Sequence, residues 1–233
     1  MSYPYADDVL FRGNSATLVR LDIAIDRDTV IMLSGKRVFG SKYKGLQVSI
    51  GENSDYVPEP DLCQFMSNLV SSARSLRLVY KLPVNSLIAA AQYSQGFKHL
   101  QEFSAAWCEM SVFDFLRLLQ LLPALIRVKC GIVEMGAELE HVASDDLPDY
   151  VASTYCGIGK CLQAWHITSY RSSLHTNIAE YGMLLALVCP NFGHVKLIED
   201  IVPYYHASIA DALRSGPYSK YASQISRLYT TTY

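Results

Sequence analysis

Hydrophobic and polar positions follow two different rhythms along this chain. From residue 16 the period is two: Leu18, Arg20 and Asp22 alternate with Val19, Leu21 and Ile23. A β-branched run follows over residues 29–33, and apolar positions recur through residues 46–50. Alternation of this kind predicts two to four strands between residues 16 and 51, joined as a small meander or hairpin that must pack on something larger. Residues 51–60, GENSDYVPEP, are polar and contain two prolines, which marks a boundary.

Beyond that boundary the rhythm reads as helical. Leu62, Phe65, Met66, Leu69, Val70 and Ala73 recur at spacings of three and four after a capping Asp61. Arg74, Arg77 and Lys81 form a second stripe with the same spacing, and Pro83 stops the helix. Further helices are predicted over residues 85–95 and 100–109. The next begins at Ser111, where Ser111 and Asp114 have capping-box spacing. It carries the densest apolar segment, FDFLRLLQLLPALIRV, which Pro123 kinks or splits. Helices are also expected over residues 132–142, 149–168, 176–188, 195–201, 204–213 and 218–228. No internal repeat emerges. The expected fold is therefore mainly α: an N-terminal arm over residues 1–15, a small β element with its linker over 16–60, and a helical bundle over 61–233.

Composition adds bounds. In 233 residues, half are hydrophobic and 18% are charged, enough apolar material for a substantial core. The net charge of −2 gives no general attraction to polyanions, so a nucleic-acid site has to be a local patch. No apolar run is long enough to span a membrane, and the N-terminus, MSYPYADDV, lacks the pattern of a secretory signal. Six cysteines, mostly inside apolar segments, read as reduced core residues of a cytoplasmic protein.

Catalytic and metal-binding patterns are weak. Cys156, Cys161 and His166 lack the paired spacing of a zinc site. The segment GIGKC at residues 157–161 lacks the first glycine and the final hydroxyl of a phosphate-binding loop. Cys108, His99 and Asp114 are near one another only in sequence. Glu134, Glu138, Glu140, Asp145 and Asp146 read as a solvated acidic face. No cofactor or metal is expected, and an enzyme ranks third among the functional readings.

The basic residues carry the leading expectation. In SGKRVFGSKYKG, residues 34–45, Lys36, Arg37, Lys42 and Lys44 are interleaved with Phe39 and Tyr43. Cations alternating with aromatics suit a nucleic-acid backbone and its bases together; the competing reading is a solvated hairpin with protective basic edges. Arg74, Arg77 and Lys81 follow, with Lys98, Arg127, Lys129 and Arg171 able to join them if the fold converges.

The C-terminal quarter carries a resemblance. The runs YRSSLHTNIAEYGMLLAL and LIEDIVPYYHASIADALRSGPYSKY, within residues 169–221, resemble the C-terminal lobe of rhabdovirus-type nucleoproteins. That resemblance implies a two-lobed, mainly helical protein that clamps single-stranded RNA without sequence preference, oligomerises through terminal arms, and uses Arg171 against RNA. The leading expectation is thus an oligomerising nucleocapsid-type RNA-binding protein using Lys36, Arg37, Lys42, Tyr43, Lys44, Arg74, Arg77, Lys81 and Arg171. The alternative is a helical structural or protein-interaction protein without nucleic-acid binding.

Overall fold

The computed structural model describes residues 20–25, 46–52, 64, 73–78, 84–93, 97–167, 175–197 and 199–232. Strands begin at residues 20, 46, 73, 102, 127, 164, 194 and 229: β1 (Arg20–Ile25), β2 (Leu46–Glu52), β3 (Ala73–Leu78), β4 (Glu102–Ser111), β5 (Arg127–Glu134), β6 (Ala164–Ile167), β7 (His194–Leu197) and β8 (Tyr229–Thr232). All eight form one sheet in chain order. Every pairing is parallel.

Parallel neighbours require a crossover between them. From β3 onward the described crossovers are helical: α1 (Val84–Tyr93), α2 (Val112–Leu121), α3 (Ala137–Glu140), α4 (Leu147–Thr154), α5 (His175–Val188), α6 (Val202–Ser215) and α7 (Ala222–Ile225). Strand order never reverses, so crossovers of one hand place their helices on one side of the sheet. Burial agrees. Leu76, Phe103, Val128, Trp165 and Val195 are buried, and the register sets them side by side across β3 to β7. Leu78, Ala105, Cys130, Ile167 and Leu197 form a second buried row. Residues of opposite parity, including Arg77, Lys129 and Lys196, retain solvent exposure.

A repeat underlies this order. Leu100, Phe103 and Ala105 share the spacing apolar-x-x-apolar-x-apolar with Leu125, Val128 and Cys130, with Leu162, Trp165 and Ile167, and with Phe192, Val195 and Leu197. In all four the first residue closes a tight turn, its N–H donating to the carbonyl three residues earlier. The next residue's carbonyl then accepts from the following repeat. The Gln101 carbonyl takes both Ile126 and Arg127 N–H groups, Ile126 takes Gln163 and Ala164, and Gln163 takes Gly193 and His194. One strand and one crossover per unit, stacked only on neighbours, is the architecture of a β/α solenoid, which leucine-rich repeats also build. A closed eight-stranded barrel would fill its helix-free side with bulky apolar chains. Here the described side chains on that side of β3 to β7 are polar apart from Ala164, and no β8–β1 pairing occurs among the described residues.

The mainly-α expectation is therefore overturned: this is an α/β protein, not a helical bundle with a small β meander. The helix expected around Arg74 and Arg77 is replaced by β3. The helix expected over 100–109 is replaced by strand β4 from Glu102 onward, where Phe103 and Ala105 are buried beside partly exposed Glu102 and Ser104. The helices expected at 132–142, 149–168 and 195–201 each give up residues to β5, β6 and β7, whereas 218–228 contains α7 and ends before β8 begins. Short strands buried on one face carry too few positions for period two to stand out. The two described N-terminal strands are parallel and belong to the main sheet, not to a hairpin.

Other expectations hold. Helices α1, α5 and α6 lie where the helical spacing places them. Ser111 caps α2: its Oγ accepts from the Asp114 N–H at 3.0 Å and donates to the Asp114 carboxylate at 2.8 Å. The α2 helix ends at Leu121, before Pro123.

Candidate binding face

On β3 to β8 the strands position side chains that the helices leave uncovered, among them Arg77, Glu102, Ser104, Arg127, Lys129 and Tyr229. Rows across the sheet are rows of Cα register. Register carries one row across the whole sheet: Asp22, Ser49, Arg77, Ser104, Lys129, His166, Lys196 and Thr231. A second row, two residues earlier on each strand, runs Arg20, Gln47, Ser75, Glu102, Arg127, Ala164, His194 and Tyr229. In the first row Arg77, Lys129 and Lys196 occupy every second strand. Adjacent strands are about 4.8 Å apart, so successive cations are spaced by about 10 Å.

The electrostatics of the row are visible at His166. Burial lowers its pKa below the ordinary histidine value, and Lys196, His194, Lys129 and Arg127 push it further in the same direction. His194 is lowered likewise, by burial and then by Lys196. Both rings are therefore held towards the neutral form. In the second row Arg127 donates to Glu102 at 2.7 Å, an exposed pair that leaves a carboxylate on the same face. At the β8 side, the His194 and Tyr229 rings lie 4.8 Å apart, and Tyr229 is 58% exposed. Below them, at the N-terminal ends of β6 to β8, an open recess of about 590 Å³ is bordered by Gln163, Asn191, Gly193 and Arg227.

Arg227 has a structural task there. Its guanidinium donates to the carbonyls of Ala186 at 2.5 Å and Cys189 at 3.0 Å, and also to Pro190. Those oxygens lie at the C-terminal end of α5, where carbonyls lack helical partners and a cation is favoured. A second latch joins Lys220 and Tyr221 to the Asp149 carboxylate, with the Tyr221 hydroxyl at 2.5 Å. These contacts hold the carboxyl below its usual range.

Arg77 lies in the cationic row of the sheet, with Lys129 and Lys196. Arg74 is exposed but stands an odd number of residues away on a strand, beside a register irregularity, so the shared helical stripe does not exist. Lys36, Arg37, Lys42, Tyr43, Lys44, Lys81 and Arg171 lie outside the described residues. Lys196 and His166 had no place among the expected contacts; register in a parallel sheet brings them in, and the signal that places them is the apolar-x-x-apolar-x-apolar unit, whose position between its last two apolar residues is Ser104, Lys129, His166 and Lys196 in turn. Cys156 and Cys161 are exposed, contrary to a core reading, whereas Cys108, Cys130 and Cys189 are buried. Among the described residues no group of three or more His, Cys, Asp or Glu is placed to hold a metal ion, and no helix is long and apolar enough to cross a membrane. No protein-family model matches the chain, and no curated protein matches it.

Proposed function

We propose that this chain is a recognition module that holds a partner protein against the helix-free face of its sheet. The observation that carries the reading is the division of the sheet: one parity of side chains is buried under helices, while the other presents Arg77, Glu102, Arg127, Lys129 and Tyr229 to solvent. Repeating units stacked in one direction generate a long continuous surface, and solenoids use such surfaces for binding.

Single-stranded RNA is the competing occupant, since Arg77, Lys129 and Lys196 share a row. One feature favours protein: between the cations the row carries Ser104 and His166, not the aromatic platforms on which single-stranded bases stack.

A steric plug tests the location. Ser104 is at the centre of the face and partly exposed; Ala210 is exposed on α6, on the helical side. Immobilised wild type, Ser104→Trp and Ala210→Trp are compared for the proteins they retain quantitatively from a cell extract. The expected result is that specific partners are lost with Ser104→Trp and kept with Ala210→Trp. Equal retention by Ser104→Trp and wild type would remove this face from the interaction.

A further inference from the structure

Resting on the reading of the helix-free face as a binding surface, we infer that its occupant is an extended acidic segment with a carboxylate at every third residue, laid across the strands. The cations set this spacing. Arg77 on β3, Lys129 on β5 and Lys196 on β7 are in register in one row, each two strands from the next. Strand spacing makes each step about 10 Å. A polyproline-type extended segment rises about 3.1 Å per residue with three residues per turn, so every third side chain returns to the same face after about 9.3 Å. Such a segment with Glu or Asp at those positions meets the three cations in turn.

The positions between the cations fit the same occupant. Ser104 and His166 lie on the intervening strands. Both are small or flat side chains with hydrogen-bonding capacity, able to meet the segment's backbone carbonyls. His166 is partly buried and held towards neutrality by burial and by the surrounding Lys196, Lys129 and Arg127. A carboxylate brought into this field relieves the mutual repulsion of those cations. An extended segment of the polyproline type also leaves its backbone groups unpaired and loses little conformational freedom on docking, which suits a face that offers side chains and no open strand edge in its middle.

Nucleic acid fits less well. Sequence-independent binding of single strands depends on aromatic platforms between the cations. The interior of the cationic row carries Ser104 and His166 instead, and Tyr229 stands in the other row at the β8 side.

The test uses the full chain and a fluorescent twelve-residue peptide of repeated Glu-Pro-Pro, read by anisotropy at low and moderate salt. Three comparison probes are a peptide of the same composition with its glutamates contiguous, a Lys-Pro-Pro repeat, and a twelve-nucleotide oligo(U). The Glu-Pro-Pro repeat is expected to bind most tightly and to weaken as salt rises. Lys129→Glu and, separately, Arg77→Glu are each expected to weaken it about tenfold, since each replaces an exposed attraction by a repulsion. Two variants guard against local misfolding at either one. Equal or tighter binding of the contiguous isomer would overturn the spacing. Tighter binding of oligo(U) would overturn the protein class. Absence of peptide binding, with partners still lost on Ser104→Trp, would sink the acidic-segment inference while leaving the binding face in place.

Discussion

At the scale of single residues, Gly182 and Tyr205 illustrate how tightly neighbouring crossovers are fitted. Tyr205 on α6 is fully buried, and its hydroxyl has no partner among the described residues. A Cβ on Gly182 of α5 would stand 2.6 Å from that oxygen. The glycine is there for close approach, since its backbone is helical and needs no special φ. Gly182→Ala is therefore expected to cost about 1–3 kcal/mol in urea unfolding. Adding Tyr205→Phe removes the oxygen and should recover a large part of that loss. Tyr205→Phe alone should be neutral or slightly stabilising, because an unsatisfied buried hydroxyl is relieved; a loss above about 1 kcal/mol would mean the hydroxyl has a partner. None of this was legible in the sequence. Gly182 sits in a run of good helix residues, and a helix–helix contact between residues in different repeats has no local signature. Arg77 and Lys129 stood out in the sequence as cations able to join one basic surface. That they share a row with Lys196 was not legible, because the three are aligned only through register.

At the scale of elements, α1, α2, α5, α6 and the two N-terminal strands announced themselves, and β3 to β8 did not. Helix α5 spans fourteen residues and its apolar positions surround the axis, since it packs against α4, α6, α7 and β5. Ser111 and Asp114 wrote the start of α2 into the sequence in full. Strands β6, β7 and β8 have four residues each, shorter than the window in which period two can be told from period 3.6. What the sequence did contain was the apolar-x-x-apolar-x-apolar unit, visible only when segments some tens of residues apart are laid beside each other. The Arg227 cap makes an element-scale prediction. Its bonds to Ala186, Cys189 and Pro190 tie the strand β8 unit to the end of α5. Arg227→Ala should cost about 2–3 kcal/mol, the range for charged hydrogen bonds to a helix end. Arg227→Lys should recover less than half, because an ammonium cannot address three carbonyls with a planar fork. Hydrogen exchange should speed up at the last turn of α5 in both variants; unchanged protection there would mean the cap is dispensable.

At the scale of the whole molecule, the face responds to pH through His166. The titratable groups that act on it from the flanking strands, Lys196 and His194 on β7 and Lys129 and Arg127 on β5, are cationic or can become so. Burial and these neighbours lower its pKa below the ordinary value of about 6.5. A bound carboxylate favours the protonated ring, so binding takes up a proton and must tighten as pH falls. Affinity for the Glu-Pro-Pro peptide is expected to rise from about pH 7.5 to about pH 5.5, where glutamate remains ionised. His166→Gln should flatten the profile while leaving binding at pH 7.5 nearly unchanged. In the free protein the sign is opposite for stability: a histidine with a lowered folded pKa withdraws stability as pH falls below the unfolded value.

The sequential strand order fixes how such a face can change in size. Each unit takes its backbone bonds from the unit before and offers the equivalent carbonyl to the unit after, as Gln101, Ile126 and Gln163 do. Duplicating one unit would add a rung without altering the register of the rungs on either side, much as a ruler is lengthened by a further division. The face would then grow in steps of one strand spacing. A partner's reach along it would be counted in whole repeats, and two inserted repeats, not one, would keep the alternation of cationic and neutral rungs in phase.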